Sequence, residues 1–500
     1  MLEVVSFICG AAVMVLEMAG ARLLAPYLGT SIVVWTAMIG VVLACLSLGY
    51  WLGGKAGDKA PSARKLGLII ASGSAFVVIA ALAQRPILAA VSGANWPLQV
   101  SAVAAAVFLF AVPCVFLGMV SPYIIQVRLL DYQDKSRSSS IIGRFFALST
   151  IGSIAGTFLG GYWLISWFGT RLILYAVAGV LALAALLVMP RGRKLPAALV
   201  FASCIGLGGF TAANVHESLA TGIDFDTRYN HIRIQDGISG GHRVRYLTTD
   251  PGSAQSGMRI DDPTYLLFDY TKHYAIGWHI LPTAKDFLML GGGGYSVPKF
   301  LLRTKSNAKI DVVEIDPGIT QAAREYFELK DDGRLRIFHE DARVFLNRAA
   351  REDAFGRYDM IMGDTFTSNY NIPFHLGTVE CAERIKALLR DDGVFVCNII
   401  SAVTGEEGQV LRSIHGAFAE VFPQTHVFPV SYPHRTDLAQ NVMLVALKTP
   451  KTIPLAWDAE MQAMLAKEFK GRLEQDVMAL TDNYAPVERY SMPMLQSSRR

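Results

Sequence analysis

Seven apolar runs crowd the first 214 residues, at roughly 4–25, 31–54, 66–91, 98–120, 141–166, 170–189 and 196–214. A hydrocarbon core about 30 Å thick needs about 20 apolar residues to cross as a helix, and each run meets or approaches that length. No water-soluble core accommodates so many helices that are apolar all round, so the pattern predicts an all-α polytopic membrane bundle of about seven helices over 1–214. The first run lacks a basic start and a small-residue cleavage site, and further spans follow it, which excludes a cleaved leader.

Charge divides the chain at the same place. Residues 1–215 hold 14 Lys+Arg against 5 Asp+Glu, and the remainder 32 against 37, so the formal net charge of +4 describes neither part. The basic residues fall in short loops: Lys55, Lys59, Arg64 and Lys65; Arg128, Lys135, Arg137 and Arg144; Arg191, Arg193 and Lys194. Alternate loops carry only Arg22, Arg85 and Arg171. This is the asymmetry of a multi-pass protein of the cell (inner) membrane, its basic loops facing the cytoplasm. With seven spans the C-terminal part emerges on the outer side, whereas supply of a cytosolic cofactor favours the cytoplasm. Nucleic acid is excluded as a partner, because no basic face interleaved with aromatic residues exists; the partner of the first half is the lipid bilayer. The six cysteines have neither metal nor disulfide spacing and read as packed thiols.

Two features inside the runs stand out. Gly152, Gly156 and Gly160 lie four apart on one helix face, which invites close backbone approach. Glu17 and Arg22 are ionisable groups at membrane depth, either a structural pair with interfacial Arg22 or part of a solute pathway.

After a strand-like and turn-rich stretch, 217–280, the chain alternates strands and helices over 281–450 and ends in a helical extension, 451–500. The order "FLMLG", "KIDVVEID", "RLRIFHED", "RYDMIMGD", "GVFVCNII", then "THVFPV" and "NVMLVALK", predicts a doubly wound, Rossmann-like α/β domain preceded by a small β subdomain. Ligands of such sheets sit beyond the carboxyl ends of the strands. Gly291, Gly292, Gly293 and Gly294 end the first strand, Glu314 the second, Asp341 the third and Asp364 the fourth. Glycines bring bare backbone to a ligand, and a carboxylate after the second strand suits two ribose hydroxyls. Singly, Glu314 or Asp316 would serve equally well as a helix cap and Asp364 as a turn residue; His231 and His375 read as ordinary polar residues, with no second-ligand spacing to support a metal. The loop lacks the spacing of a pyrophosphate site and the lysine of a P-loop, so a nucleoside without a diphosphate fits, S-adenosylmethionine or a derivative.

At these residues the chain resembles the spermidine synthase family of aminopropyltransferases, in its membrane-fused bacterial branch. The motifs "TRYNHIRI", "RYLTTDPGSAQSG", "LGGGGYS", "VVEIDPGI", "EDARVFL", "YDMIMGDTF" and "VSYPH" stand in family order across about 226–448. The resemblance implies an enzyme of polyamine biosynthesis that moves an aminopropyl group from decarboxylated S-adenosylmethionine to a putrescine-like amine, releasing methylthioadenosine, without a metal. It implies Glu314 as the ribose ligand, Asp341 with Ala342 as the adenine contact, and Gln255 near the sulfonium. Asp364 and Tyr265 become the pair that orients and deprotonates the amine, with Asn230, Thr367 and Tyr432 on the acceptor side; a homodimer is also within the family's habit.

Two departures from the family pattern bear on substrate. Its glycine loop reads G-G-G-D-G-G, and Gly294 takes the place of the aspartate; Thr367 takes that of the second carboxylate in D-x-x-D. Loss of two anionic partners weakens the hold on a dication and admits S-adenosylmethionine itself, with methyl transfer or cleavage to a lactone as outcomes. A polyamine carrier with a ligand-binding soluble domain is the reading from a different class, supported locally by Glu17.

Overall fold

The computed structural model describes residues 1–29, 31–59, 61–94, 96–130, 138–190, 192–213, 222–227, 229–249, 254–351, 355–365 and 373–497. They form two compact units, Met1–Glu217 with Asp224–His231, and Ser218–Ile223 with Ile232–Arg500.

The first unit contains α1 (Leu2–Leu28), α2 (Ile32–Asp58), α3 (Ala63–Ser92), α4 (Leu98–Leu130), α5 (Ser138–Phe158), which runs through a π-helical turn (Leu159–Leu164) into α6 (Ile165–Trp167), then α7 (Thr170–Val188) and α8 (Leu195–Ala213). Among the described residues six helices are long and apolar enough to cross a membrane. The expected seventh is a shorter apolar helix, Leu195–Phe210. It lies antiparallel to α7, with Gly179 against Cys204 and Gly208 against Leu172 and Tyr175.

Glycine spacing sets the helix contacts. A Cβ on Gly152 or Gly156 would come within 2.1 Å of the Phe7 carbonyl oxygen or 2.3 Å of that of Ala11, so α5 rests directly on the α1 backbone. Gly160, the third of the stripe, falls in the π turn and stands off, with Val15 and Met18 of α1 at 3.7 and 3.8 Å.

Arg22 does not pair with Glu17. Its guanidinium donates to the carbonyl of Asn230 at 3.1 Å and to that of Thr227. Next to this contact, Asp226 ends strand β1 (Ile223–Asp226); it accepts from the amide of Thr170 at 2.9 Å, satisfying an otherwise open donor at the α7 N-terminus, and meets His231 at 2.7 Å. The segment Asp224–His231 is thereby tied to the end of the bundle where α1 finishes and α7 begins.

In the second unit, β2 (His231–Ser239), β3 (His242–Thr248) and β4 (Ser256–Arg259) make an antiparallel meander. Short helices α9 (Asp269–His273) and α10 (Ala275–Ile280) lead to the main sheet. Its strands are β5 (Asp286–Leu290), β6 (Lys309–Val313), β7 (Leu335–Phe338), β8 (Tyr358–Gly363), β9 (Leu389–Ser401), β10 (Gln424–Pro429) and β11 (Gln440–Leu447), in spatial order β10-β11-β9-β8-β5-β6-β7. Strands β5 to β9 pair in parallel, while β11 is antiparallel to both β9 and β10, giving a mixed sheet.

Interleaved with the strands are α11 (Ser296–Thr304), α12 (Pro317–Tyr326), α13 (Ala342–Arg351), α14 (Val379–Leu388) and α15 (Gln409–Val421), with α16 (Ala459–Leu465) and α17 (Val487–Ser497) after the sheet. Helices α13, α14 and α15 turn apolar stripes inward, for example Phe345, Leu346 and Ala349 of α13 and Ile414 and Phe418 of α15, into one core with Leu288, Ile361, Phe395 and Leu444 of the sheet. Strand order reverses between β5 and β8, so their carboxyl ends open onto a crevice.

Candidate active site

The chain turns sharply after β5. Gly291 has φ 93° and Gly293 φ 51°, left-handed values that cost an L side chain strain. Space forbids one as well: a Cβ on Gly291 would lie 2.2 Å from the Asp364 carbonyl oxygen, and one on Gly293 2.6 Å from Ser256 Oγ.

Glu314 organises this loop. Its Oε2 accepts from the amides of Gly292 (2.8 Å) and Gly293 (3.3 Å), and its Oε1 accepts from the amide of Asp316 (2.9 Å). Burial raises its pKa, while the three amides oppose that shift by favouring the carboxylate. Asp316, with Pro317 behind it, is the cap of α12, accepting from the amide of Gly318 at 2.9 Å. The capping role is thus filled, and Glu314 ties the loop while each of its oxygens retains capacity to accept more.

Asp341 caps α13 with one oxygen, on the amides of Arg343 (2.8 Å) and Val344 (3.2 Å), and meets His375 Nε2 with the other at 3.3 Å. The His375 contact is the largest influence on its lowered pKa. Ala342 is the first residue of that helix and is buried.

Asp364 follows β8 at the strand reversal. Asn398 of β9 donates to its Oδ1 at 3.1 Å and Tyr270 of α9 to its Oδ2 at 3.2 Å, and Asn441 of β11 donates to the Asn398 oxygen at 3.0 Å. These bonds fix both the carboxylate and the amide orientation of Asn398. Burial pushes the Asp364 pKa up to about 6, against the two donors that favour the anion. Such a carboxylate can accept a proton near neutral pH.

Among the described residues no hydrogen bond joins Tyr265, the tyrosine expected here, to Asp364. Tyr265 is 37 % exposed, with the Arg259 guanidinium 4.8 Å from its ring centre. Tyr270 occupies that place, and the signal for it was the four-residue spacing of Tyr270 and Tyr274, whose hydroxyls reach Asp364 and the Gly363 carbonyl (2.6 Å).

The crevice beside Asp364 is lined by Ser256, Phe268, Tyr270, Met289, Gly292 and Ser296, among others. Ser256 Oγ accepts from the amide of Gly294 at 2.9 Å, and a Cβ on Gly294 would meet Ser256 at 3.0 Å and the Phe327 ring at 3.1 Å. The Gln255 carbonyl is 3.5 Å from the Tyr270 hydroxyl, at the edge of this group. Tyr432 is 57 % exposed on a loop held by Gln440, which accepts from its amide at 2.7 Å. Asn230 belongs to the other unit, bound through its carbonyl to Arg22, and Thr367 lies outside the described residues. No group of three or more His, Cys, Asp or Glu that could hold a metal occurs among the described residues. A larger cavity, about 510 Å³, lies elsewhere, between α15, β10 and residues 468–477. It contains none of the strand-end residues, and Glu468 and Glu474 on its wall are engaged by His426 (2.6 Å) and Arg412 (3.1 Å).

Comparison with known proteins bears on this arrangement. The family described as "Spermine/spermidine synthase domain" matches residues 272–453, the main sheet with its helices. A polyamine aminopropyltransferase of Vibrio vulnificus is 33 % identical over 250 residues, covering 47 % of this chain and 81 % of that protein. An eEF1A lysine and N-terminal methyltransferase of Bos taurus is 26 % identical over 237 residues, 44 % of this chain but 32 % of that protein. Among solved structures, a probable spermidine synthase from Corynebacterium glutamicum is 19 % identical, covers 52 % of this chain and 95 % of its own, and has a TM-score of 0.43. One third identity across four-fifths of the Vibrio protein makes the chain a member of the spermine/spermidine synthase family, carrying six long apolar helices ahead of the family's domain.

Proposed function

We propose that the second unit transfers an aminopropyl group from decarboxylated S-adenosylmethionine to an amine, releasing methylthioadenosine. The observation that carries this reading is the half-buried Asp364, its carboxylate held by Asn398 and Tyr270 beside the glycine loop that Glu314 ties down. The amine lone pair attacks the carbon next to the sulfonium; the C–N bond forms as the C–S bond breaks, sulfur keeps the electron pair as a neutral thioether, and the amine proton passes to Asp364. A sulfonium is already a good leaving group, so alignment and proton removal are the enzyme's main tasks. Glu314 takes the ribose hydroxyls, Asp341 and Ala342 the adenine edge, and Gln255 the sulfonium end; Tyr270 replaces Tyr265 as the residue that orients the base. Tyr432 faces the acceptor.

A second reading rests on Gly294. Ser256 and Phe327 crowd the position where the family carries an aspartate, so the donor tail finds a hydroxyl and backbone there instead of an acid. S-adenosylmethionine, with its own carboxylate, suits that pocket, and the methyltransferase relative lends the reading weight. Incubating the purified chain with each donor, with and without putrescine, separates the readings by product mass. Aminopropylated amine with methylthioadenosine is the expected result. Adenosylhomocysteine, or methylthioadenosine from S-adenosylmethionine alone, moves the assignment to the second reading, and consumption of neither donor overturns both.

We further infer that the catalytic unit lies on the membrane face opposite the basic loops. Lys55, Lys59, Arg64, Lys65, Arg193 and Lys194 fill alternate loops, and seven crossings carry the segment after α8 to the side away from them. This requires α8 to cross along α7 as a short span. Alkaline phosphatase fused at the C-terminus is then active and green fluorescent protein there is dark. The reverse pattern would leave α8 on the cytoplasmic face and the unit with it.

A further inference from the structure

Glu17 is the unexplained acid of the helical unit. It lies eight residues, about 12 Å along the helix, from the end of the first span at Ala25. The other described acids of that unit are engaged: Glu3 with Arg144 at 3.1 Å, Asp58 with Gln126 at 3.3 Å, and Asp224 and Asp226 with His231. Arg22, the cation nearest in sequence, donates through one guanidinium nitrogen to the carbonyls of Thr227 and Asn230. Among the described residues no hydrogen bond or ion pair reaches Glu17. A carboxylate at hydrocarbon depth is expensive, and an unpaired one marks a place where a cation arrives.

The surroundings limit which cation. Three residues on, Gly20 faces Met38 of α2 and Phe110 of α4, against which a Cβ would come within 2.4 and 3.0 Å. Behind lies the π turn Leu159–Leu164, with Gly160 on Val15 and Met18 and Gly161 on Met18. Such turns loosen the backbone hydrogen-bond ladder and recur at functional sites. Glu17 itself is half-buried, neither sealed inside the bundle nor fully exposed.

A metal ion needs several hard or nitrogen ligands, and no group of three exists there among the described residues. One carboxylate three residues from a position packed on a thioether and an aromatic ring suits an alkyl ammonium instead: the charge pairs with Glu17, the ring adds cation–π attraction, and the methylenes meet apolar wall. We propose that Glu17, between α1, α2 and α4, is a second binding site for aliphatic amines, inside the helical bundle and separate from the Asp364 site.

The test uses the full chain in lipid nanodiscs and equilibrium dialysis against radiolabelled putrescine and spermidine, with aminopropyl transfer followed in parallel. Wild-type protein is expected to bind two equivalents of amine per chain. Glu17→Gln should bind one and keep its turnover, and Glu17→Asp should restore the second. A thermal melt of each variant shows that it is folded. Equal stoichiometry in wild type and Glu17→Gln overturns the proposal, as does a Glu17-dependent proton uptake with no change in amine binding. Absence of any transfer activity in a wild-type protein that still loses one equivalent on Glu17→Gln would sink the catalytic reading alone.

Discussion

Asp364→Asn lowers turnover by about 10²–10⁴-fold, the range for loss of a positioned general base, while adenosyl ligands bind nearly as before. The isosteric amide still meets Asn398 and Tyr270 but accepts no proton from the amine. The wild-type pH profile carries the same signature. Burial pushes the Asp364 pKa from 3.8 up to about 6, so kcat/KM rises with pH below that value and levels off above it. Stability moves the other way. Between 3.8 and about 6 the folded protein holds a proton that the unfolded chain has released, so an ionisation cost is absent below the lower value and complete above the upper one. Asp364→Asn is therefore more heat-stable than wild type at pH 7 and no different near pH 4. Tyr270→Phe removes one of the two donors favouring the anion and shifts the acid limb further up, whereas Tyr265→Phe leaves it in place. A Tyr265→Phe variant with the larger shift would return the sequence-based pairing to favour.

The features legible in the sequence are those enforced by periodicity or by a hard geometric limit. Spanning length located most helices to within a few residues, 141–166 against Ser138–Leu164 for the fifth, because hydrocarbon thickness leaves little latitude; the fourth, expected over 98–120, runs on to Leu130 beyond its apolar run. All seven strands of the main sheet were legible as short apolar runs, and β5 to β8 more sharply because each runs into glycine or an acid. Tyr270 escaped because its spacing from Tyr274 is a single pair at a five-residue helix, too short a pattern to outweigh Tyr265, and tyrosines five apart in "YLLFDY" compete for one place in the motif. The alternatives at Glu314 were separated by a neighbour: Pro317 at the first helical position makes Asp316 the cap. His375 and Arg22 gave no local sign at all, since their partners lie 34 residues away at Asp341 and 205 away at Thr227. Contacts of that range are products of the fold and cannot be read from spacing.

Glu314→Ala costs the second unit about 3 kcal/mol or more in urea unfolding, because the amides of Gly292, Gly293 and Asp316 lose their acceptor in a site with little water and each buried donor left open costs about 1–3 kcal/mol. The loss exceeds what one hydrogen bond would give, since Gly291 and Gly293 are held at left-handed angles partly by this tie. Glu314→Gln separates scaffold from ligand contact. Its carbonyl oxygen still serves one side of the carboxylate's former partners, but its NH₂ points a donor at the donors on the other side, so stability falls by less than in the alanine variant. Its affinity for adenosyl ligands, measured by calorimetry, is expected to drop by about tenfold or more if the carboxylate takes ribose hydroxyls, a loss in line with one charge-assisted bond. Unchanged affinity in Glu314→Gln would remove the ribose role and leave a loop anchor. Either way a neutral residue of the same shape satisfies one set of amides only, because Asp316 donates to one oxygen and the glycine loop to the other; the position calls for a carboxylate before any nucleoside binds.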